Sequence, residues 1–232
     1  MLAEAQIPVA AAGIGGVLQP DLLHDVELAV DAGRIESQGP STTVRLGIDG
    51  SFTVDETGSV READVLAALQ RRVLFVCTGN TCRSPMAEAI ARAALASAPP
   101  SGVETRVGSA GVATSNGMGA TPEAIDAAAV FGGDLASHRS SRLTPAMIDE
   151  ADAIFCMTAS HADAAISILP AHESKIRLLD EPDDIADPIG MSQAVYNSTA
   201  ERIFQAVTRR LAELDAELDA FGVPRVPADS GL

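Results

Sequence analysis

The chain has no tryptophan, one tyrosine and one lysine, Lys175. Without tryptophan, and with 47% hydrophobic residues, the core must be mostly Ala, Val, Leu and Ile. The near absence of lysine suggests a GC-rich genome more than a function. No apolar run approaches the ~20 residues a helix needs to cross a bilayer, so no membrane span is expected. The opening Met-Leu-Ala-Glu-Ala-Gln lacks the basic segment of a secretory signal. Only three cysteines are present, which fits a reducing compartment and predicts a cytoplasmic location. Positive charge is also short: 16 Lys and Arg stand against 32 Asp and Glu, for a net charge of −16 and a pI near 4.5. A nucleic-acid partner wants a basic surface, so none is expected, and the excess acid serves solubility. The length of 232 residues allows one domain, or a domain with an appendage.

One stretch is dense with chemistry: Val73-Leu-Phe-Val-Cys77-Thr-Gly-Asn-Thr-Cys-Arg83-Ser-Pro85. Residues 73–76 read as a short buried strand, and 86–98 as a helix with Pro85 suited to its first turn. The loop between them sits at a strand's carboxyl end and a helix's amino end, where inward N–H groups and the helix dipole welcome an anion. Gly79 lets the main chain turn tightly. Cys77 is the candidate nucleophile, its thiolate favoured by loop amides, the helix end and Arg83. Ser84 can donate a hydrogen bond to the sulfur. The Arg83 fork matches two phosphoryl oxygens, which a lysine would not do. Thr78, Gly79, Asn80, Thr81 and Cys82 complete the cup with Ser84. A general acid is expected in the acidic loop 180–188, where Asp183, Asp184 and Asp187 are all candidates.

These residues, in this order, resemble the low-molecular-weight protein phosphatases, from about residue 72 to about residue 218. Further matches are Ser109-Ala110-Gly111, Ser137-His138 and Asp187-Pro188. The resemblance implies hydrolysis through a phosphocysteine on Cys77, with no metal or other cofactor and a phosphorylated protein as substrate. It selects Asp187, the one followed directly by proline, as general acid and then base. It also implies that Asn80, Ser109 and His138 support the loop. Cys82, by the same resemblance, can form a disulfide with Cys77 under peroxide and make the enzyme redox-sensitive. Cys156 reads as core strand only.

Two positions bear on the substrate. Tyrosine-specific members of the resembled family usually carry an aliphatic residue where Thr81 stands, and the bacterial protein arginine phosphatase branch carries threonine. A hydroxyl there can meet a guanidinium N–H. Ile189 replaces the aromatic residue many members place beside the substrate. The sequence therefore favours phosphoarginine, with phosphotyrosine as the alternative. Arsenate reduction needs further resolving cysteines, which one branch of the resembled family places late in the chain, and the lack of any cysteine after Cys156 counts against it. A binding-only protein would need neither Cys77 nor Asp187.

The rest of the pattern alternates strands and helices. Strands are expected at 103–107, 153–157 and 175–179. Helices are expected from Thr121 to about Val130, from Thr144-Pro145, from a Ser160 cap to before Pro170, and from Ser192 to about Leu218. Val195, Tyr196, Ile203, Val207 and Leu211 should mark the last helix's apolar side. This predicts an α/β fold, a four-stranded parallel sheet flanked by helices with flavodoxin-like architecture, and phosphate bound beyond the strands' carboxyl ends. The catalytic part is expected at 71–220, a flexible tail at 221–232, and a small α+β appendage at 1–70. That appendage holds eleven acidic residues and three arginines. Its Gly39-Pro-Ser-Thr-Thr-Val44 segment resembles the C-terminal half of a threonylcarbamoyl-adenylate synthase domain, in degenerate form. Oligomeric state leaves no mark in the sequence.

Overall fold

The structure, a computed structural model, describes residues 42–46, 52–56, 58, 60–62, 70–97 and 104–220. The tail 221–232 and residues 39–41 of the synthase-like segment lie outside the described residues. Within 1–70, β1 (Thr43–Leu46) and β2 (Phe52–Glu56) pair antiparallel as a two-stranded ribbon. Thr42 Oγ1 ties the chain beyond β2 by donating to the Val60 carbonyl at 2.6 Å and accepting from Gly58 N–H at 3.0 Å.

The catalytic part is a parallel four-stranded sheet in the order β4–β3–β5–β6. Its strands are β3 (Arg71–Cys77), β4 (Thr105–Gly111), β5 (Ala153–Cys156) and β6 (Ile176–Leu178). The first of them, β3, is interior, with β4 on one side and β5 on the other. The connection from β3 runs to β4 on one side and that from β5 runs to β6 on the other, so a crevice opens beyond the carboxyl ends of β3 and β5. Cys77 is the last residue of that strand.

Both faces of the sheet are covered, so β3 is apolar from Val73 to Cys77 and those side chains alternate between two interior layers. Val73, Phe75 and Cys77 pack on one side with α1 (Arg83–Ser97), α2 (Pro122–Ala129) and α5 (Gln193–Ala220). Leu74 and Val76 pack on the other with Ile148 of α3 (Pro145–Glu150) and Ala165 of α4 (Ala159–Ile168). A stacked pair, Phe75 and Phe155 at 6.1 Å, joins β3 to β5.

Caps follow the sequence closely in two cases. Thr121 and Thr144 accept from Ala124 N–H and Met147 N–H, each with proline in the first turn. The α4 cap differs from expectation: Thr158, not Ser160, accepts the His161 N–H, and the Ser160 hydroxyl instead lies 2.8 Å from Thr158 Oγ1. Helix α1 starts at Arg83, three residues earlier than expected. Strand β4 runs on to Gly111, because its partner β3 offers a full ladder as far as Cys77. The fourth strand starts at Ile176, since Pro170–Lys175 is taken by a 3₁₀ turn. On α5, Tyr196, Ala200, Ile203, Val207 and Leu211 are buried, whereas Val195 is 41% exposed. Val195 stands one residue before Tyr196, about 100° round the helix from the buried stripe.

Candidate active site

The loop from Cys77 to Arg83 turns its carbonyls outward. Cys77 O accepts from Val112 N–H at 2.9 Å, Thr78 O from Ala113 N–H at 3.0 Å and Thr81 O from Thr121 N–H at 3.0 Å. Asn80 O accepts from His138 Nε2 at 2.8 Å. In a trans peptide the N–H points opposite the C=O. The N–H groups of Thr78, Gly79, Thr81 and Cys82 are thereby aimed to the inside of the loop. Asn80 N–H already donates to Cys77 Sγ at 3.3 Å. The left-handed residue that closes the turn is Asn80, with φ of 52°, rather than Gly79. Asparagine tolerates that conformation better than most side chains. Behind the loop, a Cβ on Gly111 would stand 2.6 Å from Thr78 O, so only glycine lets β4 approach this closely.

Asn80 is fully buried and fully used. Its Nδ2 donates to Ser84 Oγ at 2.9 Å and Ser109 Oγ at 2.8 Å, and its Oδ1 accepts from Ser141 N–H at 2.8 Å. Ser109 in turn donates to Glu88 Oε2 at 2.5 Å. This fixes the direction of the chain. A carboxylate can only accept, so Ser109 gives its hydrogen to Glu88 and receives one from Asn80. Ser84 likewise receives from Asn80 and keeps its own hydrogen for Cys77 Sγ, 2.9 Å away. Its other acceptor, Ala110 O, is farther at 3.3 Å. Glu88 was not anticipated from sequence; it lies on α1 and meets Ser109 only through the fold.

Arg83 is 4% exposed. Its Nη1 donates to Ile185 O at 2.9 Å and its Nη2 to Asp187 Oδ2 at 2.5 Å. Its Nε is buried with no acceptor among the described residues. A pocket of about 210 Å³ opens over this group, lined by Cys77, Thr78, Gly79, Thr81, Cys82, Arg83, Asp187 and Ile189. The other acidic-loop candidates are elsewhere. Asp184 Oδ1 accepts from Ala159 N–H at 2.8 Å at the start of α4, and Asp183 is exposed. Asp180 is held by Arg202 at 2.5 Å and Arg209 at 2.9 Å. Burial pushes the Asp180 carboxyl up, but hydrogen bonds from Arg209 and Arg202 outweigh it and hold it below its ordinary value.

Two further residues touch the loop without a sequence signal. Tyr196 of α5 places its hydroxyl 3.3 Å from Cys82 Sγ. Burial first, then the Cys82 contact, pushes that phenol up to about 12, so it stays protonated at neutral pH. His161 of α4 places Nε2 2.8 Å from Thr78 Oγ1. Burial first, then the Arg83 charge, lowers its pKa to about 4, so the ring is neutral at ordinary pH. Cys156, expected as core, is buried and pushed up to about 12 by burial and by Cys77.

Known proteins are similar to this chain in sequence and fold. The profile described as low molecular weight phosphotyrosine protein phosphatase matches residues 72–220. The chain belongs to that family. It is therefore a cysteine-dependent hydrolase of phosphorylated proteins with a phosphocysteine-type mechanism. It is 37% identical over 147 residues to a protein-arginine-phosphatase of Bacillus subtilis, covering 61% of this chain and 94% of that one. It is 34% identical over 139 residues to a probable low molecular weight protein-tyrosine-phosphatase, EpsP, of Ralstonia nicotianae, covering 59% and 91%. Among solved structures, the YwlE arginine phosphatase from Geobacillus stearothermophilus superposes with a TM-score of 0.59 at 34% identity, covering 65% of this chain and 96% of that one. The family match starts at residue 72, so it lends the synthase resemblance of residues 1–70 no support. Among the described residues, no helix is long and apolar enough to cross a membrane.

Proposed function

We propose that this phosphatase acts on phosphoarginine side chains of proteins, by the following assignment of roles. The phosphoryl group enters the cup with its oxygens on the inward amides and on Arg83, whose Nε gains an acceptor there. Cys77 Sγ attacks phosphorus in line, and the P–N bond to the guanidinium breaks. Asp187 gives its proton to the leaving nitrogen, then takes one from the water that cleaves the S–P bond. Ser84 donates to the departing sulfur in that second step, through the contact set by Asn80 and Glu88.

The observation that carries the substrate choice is the composition of the pocket wall. Among the described residues, none that lines the pocket is aromatic, so a phosphotyrosine ring finds no stacking partner among them. Thr81 supplies a hydroxyl oxygen and Asp187 a carboxyl oxygen, both able to accept from a guanidinium. Ile189 stands 56% exposed at the rim as the one large apolar lining residue among the described residues. A cytoplasmic location is part of the same proposal, supported by three unpaired cysteines.

The test is a side-by-side assay on phosphoarginine, phosphotyrosine and phosphoserine proteins, with Cys77→Ser as the blank. Phosphoarginine should be turned over fastest, and Thr81→Ile should shift preference towards phosphotyrosine by about tenfold or more. Faster hydrolysis of phosphotyrosine by the unaltered enzyme would end the arginine reading.

A further inference from the structure

We propose that His161 is a positioning residue for the phosphate loop: its Nδ1 accepts the Thr158 hydroxyl, and its Nε2–H donates to Thr78 Oγ1. The Thr78 hydroxyl then keeps its own hydrogen for an oxygen of bound substrate. The inference rests on the phosphatase reading of this pocket and adds a hydroxyl donor to it.

The geometry comes from three elements meeting at one ring. His161 is 4% exposed. Its Nδ1 lies 2.8 Å from Thr158 Oγ1 and its Nε2 lies 2.8 Å from Thr78 Oγ1. Thr158 caps α4, and the next residue, Ala159, donates its N–H to Asp184 of the acid loop. The ring is thus clamped between the helix start and the phosphate loop, close to the strand of chain that carries Asp187.

A neutral imidazole has one N–H, so its two nitrogens have opposite roles. Thr158 Oγ1 accepts the backbone N–H of His161 and lies 2.8 Å from the Ser160 hydroxyl. Either hydroxyl of that pair can donate; we take Ser160 as the donor, which leaves the Thr158 hydrogen for Nδ1. The ring hydrogen then sits on Nε2 and meets Thr78. Thr78 Oγ1 has no other hydrogen bond among the described residues, and Thr78 lines the pocket. Its hydrogen is left without an acceptor among the described residues, on a residue that lines the pocket. A donor fixed in this way is pre-aimed, and aim is what an oxyanion site needs.

Two measurements on the full chain test this. Nitrogen NMR of the labelled protein reports which ring nitrogen of His161 carries hydrogen. Nε2–H is expected, and Nδ1–H overturns the proposal. The second is a mutant cycle of His161→Asn, Thr78→Val and their double, with His161→Gln as the variant that can still present a donor near the Nε2 position. His161→Asn and Thr78→Val should each raise KM and the Kd for inorganic phosphate about tenfold, with kcat changed much less. The double variant should be no worse than Thr78→Val alone, and His161→Gln should recover most of the loss. Penalties that multiply in the double, or a His161→Asn enzyme that loses thermal stability with KM unchanged, would overturn it. A chain that hydrolyses no phosphorylated substrate would sink the phosphatase reading instead. Phosphate titration of the same variants would still decide the role of His161.

Discussion

In the proposed assignment, Asp187 carries two roles that oppose each other. At rest it accepts from Arg83 at 2.5 Å and so occupies part of the guanidinium that a phosphoryl group needs. In turnover it must leave that partner and face the leaving atom. Asp187→Asn should therefore bind inorganic phosphate more tightly, by several fold, while kcat falls about 10²–10⁴-fold. Calorimetry and steady-state kinetics check both halves, and the kcat loss should shrink for a substrate with a good aryl leaving group. Cys82 is buried beside the nucleophile's loop under the Tyr196 hydroxyl. After peroxide treatment, the unaltered enzyme should regain activity with a thiol reductant, and Cys82→Ser should not, because its Cys77 oxidises past recovery. Residues of the loop itself were legible because they lie in one contiguous stretch with its flanking strand and helix. Glu88, His161 and Tyr196 were not. Glu88 sits on a helix whose charged residues usually face water. His161 and Tyr196 reach the loop from 83 and 114 positions away in the chain.

Strand β4 shows how an element is set by its neighbour. Gly108-Ser109-Ala110-Gly111 has little strand propensity, so sequence pattern ends the strand early. The ladder from Arg71–Thr105 to Cys77–Gly111 extends it, and so delivers Ser109 to Asn80 and Gly111 to Thr78. Gly111→Ala should push the phosphate loop off its position and lower kcat/KM by about 100-fold. Gly119→Ala, with nothing near its Cβ, should leave kinetics unchanged. Kinetics with circular dichroism to confirm folding separates the two. Helix starts were readable where threonine precedes proline, as at Thr121 and Thr144. At α4 two hydroxyl residues stand two positions apart with no proline to choose between them. Only the hydrogen bond to His161 N–H shows that Thr158 is the cap. The start of α5 misled in a similar way: Val195 fits an apolar run, but the buried stripe is set by Tyr196 and Ile203 against the sheet.

For the molecule as a whole, acid reaches stability first through His161. Its folded-state pKa of about 4 lies below the ordinary value of 6.5. As pH falls through that window, the unfolded chain takes up a proton that the folded site refuses, so stability is lost. Asp180, held below its ordinary value of 3.8, keeps its contribution until pH drops beneath that value. The two effects thus occupy separate pH ranges. Denaturant titration should show unfolding free energy falling by about 2 kcal/mol between pH 7 and pH 5 relative to His161→Gln, which removes the titrating ring. Taking the difference cancels the relief of repulsion that a chain of net charge −16 gains from acid. A last consequence comes from the alternation of β3. Cys77 shares a layer with Val73 and Phe75, and Leu74 and Val76 share the opposite one. The place of the sulfur is a matter of odd and even. Deleting a single residue between Arg71 and Cys77 would carry it through the sheet, into the company of Ile148 and Cys156, leaving a protein with every motif intact and no chemistry.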